Sequence, residues 1–238
     1  MIDLKKNYSK VIELIVTNFL IIVTVSWIIL FFTYRRIALL IVYEDNVIQW
    51  LQFALLFLAG IYCMKIVRNY GTFYNSISLR NAFILFFFLS MLLAFEEISW
   101  GQRIFSISTP EFIKQINVQN EITLHNINVF QRFRHWLLIF YGFSGLFLIY
   151  FKGRKSQILH FITPPSYFYI GFSIALISGL FVEIATIYKS IYQGEYGSDT
   201  IRSTAGRFSE IGEFCVATTA FAFASFKYYK IKYSKLSR

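Results

Sequence analysis

The sequence predicts an all-α, polytopic membrane helix bundle with about six transmembrane helices. Three observations lead there. Of 238 residues, 56% are hydrophobic and 20% aromatic, while only 15% are charged, against about 25% charged in an ordinary soluble domain. Apolar runs approaching bilayer length recur along the chain. Lys and Arg are distributed unevenly between the segments that join those runs. Charge this sparse does not cover a water-exposed sphere, so the net charge of +10 is not the footprint of a nucleic-acid-binding domain. The two cysteines, Cys63 and Cys215, lie inside apolar runs, where a thiol packs as a small hydrophobe. That excludes a secreted disulfide scaffold.

The first run, residues 14–32, is closed by Arg35 and Arg36; it is long for a signal peptide and no small-residue cleavage site follows. The second covers 47–66 and is closed by Lys65 and Arg68. The third, 81–100, holds fourteen uncharged residues, Ala82 to Phe95, before Glu96 and Glu97. Fourteen residues cover only about 21 Å at 1.5 Å each, short of the ~30 Å of a bilayer core. The third helix is therefore expected to continue through Ile98 and Trp100, drawing both glutamates inside the hydrocarbon edge. The fourth run is 136–151, closed by Lys152, Arg154 and Lys155. Pro164-Pro165 breaks the chain before the fifth, 167–188, and the sixth covers 211–229. Ile37 to Val42 is too short to span. No repeat and no charged or Ser/Gly-rich linker interrupts the order, so residues 1–238 read as one transmembrane domain.

With six spans, the two termini and two of the loops share a side. That side carries 14 of the 23 Lys and Arg but only Asp3 and Glu13 of the 13 acids. The excess of Lys and Arg predicts cytoplasmic N and C termini, in a cell membrane of the bacterial inner-membrane type. The other 11 acids fall on the outer side.

A carboxylate at membrane depth faces protein or a water-filled cavity and is a functional hypothesis by default. Glu96, Glu97, Glu183, Glu210 and Glu213 all approach the outer leaflet, which predicts a common outward-opening cavity. For Glu210 and Glu213 the simpler reading is a helix N-terminus whose dipole favours acids; Glu96 and Glu97, at a helix C-terminus, lack that explanation. Helical spacing puts Glu96, Ser99 and Arg103 on one face, with Glu97 turned about 100° away.

The outer loop, 103–135, is the one long connection on that side. Thr109-Pro110-Glu111 reads as an N-cap, a proline at the first helical position and a first-turn acid, opening a short interfacial helix over residues 111–116. Glu121 and His125 stand four apart, a spacing that lets a carboxylate and an imidazole share a metal or a proton. His135 and His160 read as interfacial. Glu44-Asp45-Asn46, ahead of Gln49 and Trp50, reads as a helix cap beside an interfacial tryptophan.

These segments together resemble an uncharacterised family of bacterial multi-pass membrane proteins. The matching residues are Glu44-Asp45-Asn46 with Trp50, then Glu96-Glu97-Ile98-Ser99-Trp100-Gly101-Gln102-Arg103, then Thr109-Pro110-Glu111, Asn117 to Glu121, and Leu124-His125-Asn126. The resemblance covers roughly residues 44 to 130. It departs from the family at Asn46, where Gly is frequent, and at Gln49, where Glu is. It implies a membrane protein with an outward polar signature and supplies no reaction.

Two readings follow. In the first, the chain is an intramembrane enzyme acting at the outer leaflet on a lipid headgroup or lipid-linked substrate. Glu96, Glu97, Glu121 and His125 are then its catalytic groups, Glu121 and His125 ligands of a divalent metal, and Trp100, Gln102 and Arg103 its substrate contacts. In the second, it is a non-enzymatic membrane component, serving transport, partner binding or envelope defence, whose polar motif is structural. The chain has no Walker A loop, His-Glu-x-x-His, Gly-x-Ser-x-Gly or Cys-x-x-Cys. The basic tail, Lys227 to Arg238, reads as a positive-inside anchor in contact with lipid.

Overall fold

A computed structural model describes residues 2–34, 37, 47–69, 77–102, 104–117, 121–124, 127, 133–151, 161–192 and 198–235. Among the described residues the regular elements are helices, with no strand. They are α1 (Ile2–Thr33), α2 (Val47–Asn69), α3 (Ile77–Glu97), α4 (Glu111–Lys114), α5 (Arg134–Tyr150), α6 (Tyr169–Ile191) and α7 (Ser198–Lys235). Tight 3-10 turns over Ser99–Gly101 and Ser166–Phe168 follow α3 and precede α6. Among the described residues three stretches are long and apolar enough to cross a membrane: Val47–Asn69, Ile77–Glu97 and Ser166–Ile191. All six apolar runs fall on helix, but the helices do not end where hydropathy ends.

The differences have local causes. No glycine or proline occurs before Gly60, so nothing stops α1 from starting at Ile2. At α7, helix begins directly after Gly197 and carries the polar stretch Ser198–Ser209 ahead of the apolar run. Hydropathy registers where a helix is apolar, whereas breakers register where it stops. Glu210 and Glu213 consequently sit about three turns inside α7. Complementing a helix N-terminus does not explain them.

Two compact units share the chain, one comprising Met1–Tyr43 with Leu138–Val216, the other Glu44–Leu137 with Ala217–Arg238. In the first, aromatic side chains seat α1 on the leading part of α7. Phe19 meets Phe214 at 6.2 Å and Trp27 meets Phe208 at 5.6 Å between ring centroids. The pairing order makes the two helices antiparallel. Phe208 also takes an edge contact from Phe181 of α6 at 5.8 Å, and Gly212 lies against Ser178 of α6. Small residues let backbones approach here, as in membrane helix pairs generally. At Gly142 of α5, an added Cβ would fall 2.5 Å from the Phe172 carbonyl oxygen and 2.6 Å from the Leu176 nitrogen. Glu183, Glu210 and Glu213 all belong to this unit.

In the second unit α2 and α3 form an antiparallel pair. Phe53 and Phe57 meet Phe95 at 6.3 and 6.4 Å, and farther along Gly60 receives Met91. The trailing part of α7 adds Phe223 against Phe86 and Phe221, Tyr228 and Tyr229 against Tyr62. Cys63 and Cys215 are buried and form no disulfide, one in each unit.

A paired substitution tests the close approach at α5. Gly142→Ala drives a methyl into backbone, which has little room to yield, and is expected to lower stability by about 1–3 kcal/mol. Gly206→Ala meets nothing within 4 Å and is expected to be neutral or to stabilise by up to ~1 kcal/mol. Thermal unfolding of both variants in detergent checks the sign of each change.

Candidate functional site

The polar signature begins where α3 stops. Ile98 leaves helical geometry at φ −107° and ψ 21°. Ser99, Trp100 and Gly101 then take positive φ of 50°, 55° and 78°. A helix commonly ends on one left-handed glycine; here two side-chain-bearing residues precede it, at about 1–2 kcal/mol each. The expected continuation through Trp100 therefore does not occur, and the helical register proposed for Glu96, Ser99 and Arg103 does not apply. The span gains its length at its other end instead. Starting at Ile77, α3 has 21 residues, about 32 Å at 1.5 Å each. Bilayer thickness no longer requires Glu96 and Glu97 to lie inside the hydrocarbon.

Glu96 is buried nonetheless, at 7% exposure, because its own loop closes over it. One carboxylate oxygen accepts the Trp100 indole N–H at 2.6 Å, and the other accepts the Leu124 backbone N–H at 2.8 Å. The Trp100 ring stacks on Phe95 at 5.7 Å and 16°. Ser99 donates its hydroxyl to Glu121 at 2.8 Å. Two carboxylates thus hold the two side-chain-bearing residues of the left-handed turn.

Gln102 joins two more segments. Its carbonyl oxygen accepts the Ile122 N–H at 2.7 Å and its amide donates to the Thr109 hydroxyl. That contact also revises the reading of Thr109 as an N-cap. Pro110 occupies the cap position of α4, at φ −57° and ψ 143°, without a side-chain cap bond. Asn117 closes the remaining curve: its amide donates to the Thr123 carbonyl at 3.0 Å and its oxygen accepts the Glu121 N–H at 3.3 Å. An antiparallel bridge also pairs Asn117 with Ile127.

The result is a polar knot wholly within the second unit. It joins Glu96, Trp100, Gln102 and Glu121, all singled out in the sequence, through backbone amides of residues 121, 122 and 124. Glu97 is half-buried as the last residue of α3. His135 is buried at the start of α5 beside Trp136. Arg103, His125, His160 and Glu44-Asp45-Asn46 lie outside the described residues, so the Glu121–His125 pair has no described geometry. Among the described residues no group of three or more His, Cys, Asp and Glu is arranged to hold a metal ion.

Asn117 carries bonds that spacing alone did not suggest. Its signal is compositional: a short polar residue within an otherwise apolar loop, of the kind that bonds neighbouring backbone. Compared with known proteins, the chain matches no family model, no curated protein and no solved structure.

Two substitutions test the knot. Glu96→Gln replaces one accepting oxygen by an NH2 group, leaving either Trp100 or Leu124 facing a donor, and is expected to cost about 1–3 kcal/mol. Gly101→Ala places a side chain at φ +78° and 3.1 Å from the Phe105 ring, for about 1–2 kcal/mol. Amide hydrogen exchange at Leu124 should accelerate in Glu96→Gln, and thermal unfolding should shift downward in both.

Proposed function

We propose that this chain is a non-catalytic multi-pass membrane component, and that its Glu96-to-Gln102 signature fixes the following loop as a rigid platform at one end of α3. One observation carries the reading. Both oxygens of Glu96 and both polar ends of Gln102 are engaged by donors or acceptors of the loop itself. A general base or metal ligand directs lone pairs at substrate or ion, whereas these point at backbone amides and side chains of the same segment.

On this reading the chain makes six spans with both termini cytoplasmic, the side favoured by its Lys and Arg. The resemblance over residues 44 to 130 supports the bacterial cytoplasmic membrane as its location. The platform's occupant is a membrane partner or the lipid around it.

The enzymatic reading keeps one support. Glu96 and Glu121, two of the three carboxylates assigned to it, are both tied into the same loop by hydrogen bonds. In that case a divalent metal held by Glu121 and His125, or a lipid headgroup held by Arg103, completes the site.

The two readings predict opposite signs. Removing structural carboxylates with Glu96→Gln and Glu121→Gln lowers stability, by about 1–3 kcal/mol each. Removing catalytic ones leaves stability unchanged or raises it, because active sites are commonly held at a stability cost. Thermal unfolding of the two variants, with the metal content of the purified wild type, decides between them. Stable variants together with stoichiometric bound metal would overturn the structural reading. Reporter fusions at both termini test the topology, with cytoplasmic signals expected from each.

A further inference from the structure

The loop after α3 is built inside out. Glu96, Gln102, Thr109, Asn117 and Glu121 are buried, their side chains bonded to one another, to Ser99 and Trp100 or to loop backbone. The large apolar side chains face outward. Phe105 is 73% exposed and Phe112 68%. Ile104, Ile107 and Ile116 are exposed as well. A loop in water shows the reverse arrangement, because burying polar groups while exposing apolar ones is unfavourable on both counts.

The geometry points to a loop immersed in lipid, its apolar rind in the acyl region of one leaflet and its polar knot shielded from it. Three observations select lipid over water. First, the loop follows α3 with no linker, so it starts at the level where the membrane-length helix ends. The last turns of that helix likewise expose Phe88, Leu89, Leu92 and Leu93. Second, the described exposed charges of residues 99–124 are Glu111 and Lys114, which neutralise each other at 3.0 Å. The other exposed polar groups are Ser106, Ser108 and Gln115. Third, irregular backbone at membrane depth requires internal hydrogen-bond partners. The amides of residues 121, 122 and 124 find theirs in Asn117, Gln102 and Glu96.

The inference rests on the loop being held as proposed above, and its failure is distinguishable from failure of that reading. The lock is measured by the stability of Glu96→Gln, and immersion by where the rind lies. The experiment uses the full chain in phosphatidylcholine–phosphatidylglycerol vesicles. Phe105→Cys and Phe112→Cys are each labelled with an environment-sensitive fluorophore. Cys63 and Cys215 are buried and stay in place, with the unsubstituted chain as the labelling blank. Leu92→Cys, on the exposed side of α3, sets the lipid reference, and Lys232→Cys sets the aqueous one.

Blue-shifted emission is expected at both loop positions. Quenching by lipid-borne nitroxide should match the Leu92→Cys reference, and quenching by aqueous iodide should fall well below that at Lys232→Cys. The same result is expected at every lipid-to-protein ratio. Iodide quenching equal to the aqueous reference overturns the inference. So does lipid quenching that appears only on dilution into excess lipid, because a second copy then covers the rind. Either outcome leaves the lock standing if Glu96→Gln still lowers stability.

Discussion

The Glu96 carboxylate is the interaction on which the loop depends. A helix that leaves its axis through three left-handed residues has given up hydrogen bonds and adopted unfavourable backbone, two of the three residues carrying side chains. Such a turn persists only when its surroundings over-determine it. Glu96 does this from both directions, holding the indole of the turn and an amide 28 positions downstream. Its charge suits it to that double hold. A carboxylate only accepts, so both oxygens can face N–H donors, and bonds to an ionised group are about twice as strong as neutral ones. Glu121 repeats the arrangement toward Ser99, and Gln102 supplies the pairing that needs an acceptor and a donor together.

The same hold gives the buried carboxylate at the end of an apolar helix its hydrogen-bond partners. A buried carboxylate invites a catalytic or metal-binding reading, since desolvation is unfavourable and has to be offset. Here the offset comes from backbone and side-chain N–H and O–H groups that themselves need acceptors. The buried charge and the buried donors solve each other's problem. Buried polar groups need such partners wherever water is excluded, and most of all beside a bilayer.

Much of the architecture was legible in composition. Few charges and long apolar runs predict helices, and the described helices overlap every one of those runs, the third stopping at Glu97. The residues of the knot were also visible, because Glu96, Trp100, Gln102 and Glu121 are polar or interfacial types crowded after an apolar stretch. Their roles were not. Periodicity assumes that helix continues, and nothing in Ser99-Trp100 announces a left-handed turn; only Gly101 is a residue type that favours one. Thr109 ahead of Pro110 satisfies every local rule for an N-cap, yet Gln102, distant in sequence by seven positions, takes its hydroxyl. The start of α7 was hidden for a different reason: its first turns are polar, and a hydropathy reading does not see helix there.

The left-handed turn also imposes an order on synthesis. Residues 96–102 emerge from the ribosome before residues 121–124, and three of the bonds that stabilise the turn span 20 to 28 positions. Those long-range bonds cannot form until the later segment has been made, so while α3 is first laid down the bond from the Trp100 indole to Glu96 is the part of the hold that is already within reach.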